Sequence, residues 1–116
     1  MKNSSSSQPK KSHCAKKPDF PPIHGIVAKD NGDSYYLVCI GENSEFFDVV
    51  LVHKSKKGKK QFEFSVGDEV NIYTMVMTMS IPPQVSDKDG AELVKPAADT
   101  EYKGWEEFFA NQHLPD

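Results

Sequence analysis

The sequence predicts a small all-β protein: a closed five-stranded barrel, OB-fold-like in size, with a disordered N-terminal tail and a short C-terminal α-helix. Three observations lead there. The chain has 116 residues of which only 37% are hydrophobic, enough for one small domain diluted by polar flanks and too little for two. Residues 23–97 carry short apolar runs rich in β-branched and aromatic side chains, broken by turn signals at intervals of about 8–12 residues. Closure into a barrel is how so small a sheet removes its edges.

Each element follows in order. Residues 1–22 hold a serine run, five lysines and Pro9, Pro18, Pro21 and Pro22, with too little apolar surface to offset the entropy of ordering, and read as a disordered basic tail. A strand is expected over Ile23–Lys29, a tight turn at Asn31-Gly32, a second strand over Ser34–Ile40, a turn at Gly41–Ser44 and a third strand over Phe46–His53. The block KSKKGKK that follows is a loop, because like charges beside Gly58 exclude a core element. Phe62, Phe64 and Val66 alternate as in a strand, Gly67-Asp68 makes a turn, and the strand resumes with Val70 and Ile72 and runs on through Tyr73–Met79. Ile81-Pro82-Pro83 ends it, SDKDG turns, and AELVKPA forms a last strand that Pro96 confines to an edge or an end. Residues 98–116 form an acidic segment whose helix is capped by Asp99 or Thr100 and carries Tyr102, Trp105, Phe108 and Phe109 as a stripe.

Charge is distributed unevenly. Residues 1–17 contain five lysines and no acid, and Lys54, Lys56, Lys57, Lys59 and Lys60 put five more into residues 54–60. Ten of the fourteen cations sit in these two blocks, which leaves four lysines against all 17 acids, a net of −13 outside them. Every cation is Lys, which excludes the bidentate arginine grip on guanine or phosphate used in sequence-specific readout. No apolar window approaches the roughly 18 residues of a membrane span, and no apolar run follows the N-terminal lysines, so an intracellular location, cytoplasmic or nuclear, and no membrane partner are expected. Cys14 and Cys39 are too few for a disulfide scaffold, and Cys39 within YYLVCI reads as a buried structural thiol. His13, His24, His53 and His113 have no metal-ligand spacing, and no phosphate loop, nucleophile elbow or paired-histidine motif occurs. The chain reads as a non-enzyme with no catalytic residue, cofactor or metal.

A barrel of this size is either an OB-fold or an SH3-like or Tudor barrel. Gly25-Ile26-Val27, Asn31-Gly32, Tyr36–Ile40 with Gly41, a lysine-rich loop and then Phe64-Ser65-Val66-Gly67-Asp68-Glu69-Val70 resemble the order of features in the RNA-binding OB-folds of initiation factor one, its eukaryotic relative factor one-A, and the exosome cap subunits. The resemblance spans residues 23–95. It implies a basic loop that meets the RNA backbone, at Lys54, Lys56, Lys57, Lys59 and Lys60, although the family commonly has Arg there.

The residues point the same way. A single-strand binder needs a cationic track for phosphates and exposed aromatics for stacking. Tyr35 and Tyr36 are adjacent, as are Phe46 and Phe47, so one of each pair faces away from the core; Tyr35 and Phe46 are the candidate platforms. The expected function is non-enzymatic binding of RNA or single-stranded nucleic acid. The alternative is a protein-interaction subunit of a larger assembly, docking through Trp105, Phe108 and Phe109 of the helix or through a barrel face.

Overall fold

The computed structural model describes residues 20–55, 64–112 and 114 of the chain. Asn31-Gly32 and the 41–45 turn fold the first three apolar runs into an antiparallel meander of β1 (Ile23–Asp30), β2 (Ser34–Ile40) and β3 (Phe46–His53). Then come β4 (Glu69–Ile72), β5 (Gln84–Ser86), β6 (Ala91–Lys95) and α1 (Trp105–Ala110). The sheet has the order β5-β3-β2-β1-β4-β6, antiparallel throughout except where β5 runs parallel to β3. All-β with one C-terminal helix is therefore the architecture. The ladder is open: β5 and β6 are its two edges, β6 is the expected last strand AELVKPA, and β5 is a short strand for which the sequence reading names no residues, giving six strands among the described residues.

Alternation along the meander separates two apolar faces. Val27, Tyr35, Leu37, Cys39, Val50 and Val52 point to one side and join Val70, Ile72, Val85 and Ala91 in the main core. Ala28, Val38 and Val49 point to the other, where Tyr36, Phe46 and the aromatic residues of α1 cover them. Leu37, Val52, Val70 and Ile72 are wholly buried, and full burial of a side chain of this kind stabilises by about 1.5–3 kcal/mol. Gly25 belongs to β1 for a steric reason: a Cβ there would lie 2.4 Å from the Val38 carbonyl oxygen and 2.8 Å from Leu37.

Three expectations are corrected. The fourth strand stops at Ile72 instead of running to Met79. Tyr73 turns aside, its N–H donating to the Gly90 carbonyl (2.9 Å) and its hydroxyl to Glu92 (2.6 Å). The 74–83 connection then closes on itself through Thr78 and Gln84, leaving Met75, Val76, Met77, Met79 and Ile81 exposed. Phe62 lies outside the described residues, whereas Phe64 and Val66 are in no strand, because Ser65–Asp68 is already a turn (Asp68 N–H to Ser65 carbonyl, 3.0 Å). The helix begins at Trp105 after a left-handed Gly104 (φ 89°). Asp99 is consumed in a turn with Pro96, and the Thr100 hydroxyl lies 3.5 Å from Glu69, so neither caps it and Tyr102 precedes it.

Candidate nucleic-acid interface

The lysine-rich connection leaves the sheet at the end of β3 and returns before β4. Its departure is pinned by four contacts. Lys54 donates its backbone N–H to the Asp33 carbonyl (3.0 Å) and its Nζ to Asp30 Oδ1 (3.1 Å). Ser55 N–H donates to Asp87 Oδ1 (2.7 Å), and His53 Nε2 lies 2.8 Å from Gln84 Oε1. The return is pinned too. Phe64 meets the Tyr35 ring edge-on at 6.2 Å, and Ser65 N–H donates to Asp68 Oδ2 (2.8 Å).

The carboxylates at this end of the sheet differ in environment. The Gly32 N–H, and after it Lys54, hold the Asp30 carboxyl below the usual range. Burial raises the Asp87 carboxyl, against the opposing pull of the Ser55 N–H. Asp68 spends its other oxygen on the Ala97 N–H (2.9 Å), so this acid ties the turn before β4 to the chain leaving β6. The Gly-Asp motif thus has a structural job. The Cys39 thiol is buried, and burial pushes it up to about 12.

The sequence-derived site residues are placed as follows. Lys54 is at the base of the connection and already engaged with Asp30, while Lys56, Lys57, Lys59 and Lys60 lie outside the described residues. Tyr35 is 2% exposed inside the main core, its hydroxyl buried without a hydrogen-bond partner, so it offers no ring face for stacking. Burial, followed by the charges of Asp87 and Asp30, raises its phenol. Phe46 is also turned to internal packing, with Phe108 at 5.9 Å and Tyr102 at 6.3 Å. Trp105, Phe108 and Phe109 lie half-buried on the second face of the sheet, Phe109 against Tyr36 at 5.5 Å. The exposed member of the two pairs is Phe47, at 59%. Pair spacing alone assigned opposite faces correctly but not which face α1 would cover, and a register shift between Cys39 and Ile40 moves the parity opposite Phe46.

Among the described residues no three His, Cys, Asp or Glu side chains gather as a metal would require, and no helix is long and apolar enough to cross a membrane. No family model, curated protein or solved structure matches this chain.

Proposed function

We propose that the protein is a non-enzymatic module that binds RNA or single-stranded nucleic acid. The observation that carries this reading is the concentration of lysine in one β3–β4 connection whose two ends are fixed to the sheet, at Ser55 through Asp87 and at Phe64 against Tyr35. Residues 54–60 hold five lysines and no acid, and with Lys54 paired to Asp30 the other four are the cations this connection has to offer a phosphate backbone. Phe47, on β3, supplies the exposed ring on which a base stacks.

The same reading takes the open sheet as an OB-like barrel parted at one place. β5 and β6 follow one another in sequence and read as one interrupted strand that pairs parallel with β3 and antiparallel with β4. The intervening turn supports this, since Asp87 N–H donates to the His53 carbonyl (3.2 Å) on one side and the Gly90 carbonyl accepts from Tyr73 N–H on the other. The place of β1 between β2 and β4 supports reading the sheet as a partly open Greek-key barrel of the OB type.

Electrophoretic mobility shift of the full chain against single-stranded RNA, single-stranded DNA and duplex, at low and physiological salt, tests the proposal. It predicts a shift of single strands at low salt that weakens as salt rises. No shift at low salt contradicts it.

One observation favours a second reading, a protein-interaction subunit. Met75, Val76, Met77, Met79 and Ile81 are 46–97% exposed within an uncharged connection, and flexible apolar side chains of this kind suit contact with another protein. The helix aromatics are committed at home, so this reading moves from α1 to the 74–83 connection. Size exclusion showing assembly at micromolar concentration without nucleic acid would favour it.

A further inference from the structure

The turn at Ser65–Asp68 and the chain leading into α1 line an open cleft of about 380 Å3. Tyr102 and Trp105 are among its lining residues, and both are packed against neighbours. Tyr102 stands edge-on to His24 at 6.0 Å and tilted against Phe46 at 6.3 Å, while Trp105 is seated on the Ala28, Val38 and Val49 face of the sheet. Gly67 keeps the space open. Its φ of +99° disfavours any side chain, and a Cβ there would lie 2.9 Å from Ala97 Cβ and 3.8 Å from Trp105 Cζ2. Val66 and Ala97 add apolar wall, and Glu106 and Lys103 stand exposed among the lining residues.

The charge around the cleft selects the sign of its ligand. Glu106 is joined by exposed Asp99 and Glu107 nearby in the chain, against Lys103; Glu101 lies 4.0 Å from Lys95 and is partly neutralised. The lining itself holds one charge of each sign, and the acid excess comes from residues 99–107, which carry four acids against Lys103. Two aromatic rings with a carboxylate at the rim favour a cation, and among cations one whose methyl groups reduce the loss of hydration on entry. We propose that this cleft binds the N-methylated ammonium of a lysine side chain in a partner protein, Tyr102 and Trp105 contacting the methyl groups, Glu106 the charge, and Val66 and Ala97 the aliphatic stem. A choline headgroup fits less well, because its phosphate, two carbons from the ammonium, would meet a segment, residues 99–107, that carries four acids against one lysine.

Trp105 is the chain's single tryptophan, so its fluorescence reports on the cleft directly. The full chain is titrated with Nα-acetyl-trimethyllysine amide, its unmethylated counterpart, phosphocholine, and the neutral isostere 3,3-dimethyl-1-butanol, with ionic strength held constant by sodium chloride. The proposal predicts a saturable change with trimethyllysine, weaker with lysine and absent with the alcohol. Glu106→Gln weakens binding about threefold or more and Lys103→Gln tightens it; both positions are exposed, and unchanged circular dichroism verifies that the variants are folded. A response to the alcohol equal to that of trimethyllysine, no saturable change with trimethyllysine, full affinity in Glu106→Gln, or tighter binding of phosphocholine would each overturn it.

Discussion

Gly67 and Asp68 show how a short motif serves the fold rather than a ligand of the basic loop. The Gly67 N–H donates to the Val27 carbonyl (2.7 Å), Asp68 bonds both Ser65 and Ala97, and the backbone between them needs a positive φ. Gly67→Ala adds backbone strain and a clash with Ala97, and is expected to destabilise by about 1–3 kcal/mol in urea unfolding. Asp87 gives a pH signature. Burial raises its carboxyl above its unfolded value, so the native state holds its proton more tightly, and the stabilisation this brings at low pH is lost as pH rises through the folded value. Asp87→Asn retains an oxygen to accept from Ser55 and removes the cost of the buried charge. Its unfolding midpoint should exceed that of the wild type at pH 7, with the gap narrowing towards pH 4; an unchanged gap would show that Asp87 does not titrate differently on folding.

Elements differed in how far the sequence disclosed them. The meander was legible because Asn31-Gly32 and the 41–45 turn bracket runs rich in β-branched and aromatic residues, and β1, β2 and β3 lie within a residue or so of their expected bounds despite register shifts at Val27/Lys29 and Cys39/Ile40. The stretch after Ile72 was not, because alternating methionines describe a strand only when a partner strand lies beside them, and among the described residues none pairs with 74–80. The helix was legible as a stripe but not in its start, since Gly104 and the Glu69–Thr100 contact redirect the chain. The candidate site was less legible still: adjacent aromatics gave the alternation, but only the placement of α1 decides that Phe46 is covered and Phe47 is free. Phe108→Ala removes a half-buried ring from the second face of the sheet and is expected to cost about 1–3 kcal/mol, less than the 3–5 of a fully buried Phe. Phe47→Ala should leave the unfolding midpoint within about 0.5 kcal/mol of wild type. In binding, the same change should weaken single-strand affinity by about 1–2 kcal/mol if Phe47 stacks a base; a Phe47→Ala protein with full affinity would remove it from the interface.

At the scale of the whole molecule the decisive property is charge segregation. A net charge of −3 conceals two all-lysine blocks in an acidic remainder, and the sheet fixes the roots of one block while Lys54 is spent on Asp30. Phosphate contact therefore falls to the lysines beyond it. Replacing Lys56, Lys57, Lys59 and Lys60 by Ala and measuring single-stranded RNA affinity across salt concentrations tests this most directly. Each lost phosphate contact on a single strand flattens the log–log slope by about 0.7, so engagement of all four predicts a slope shallower by about 2–3. A variant whose slope equals that of the wild type would contradict the account and assign any binding to another surface.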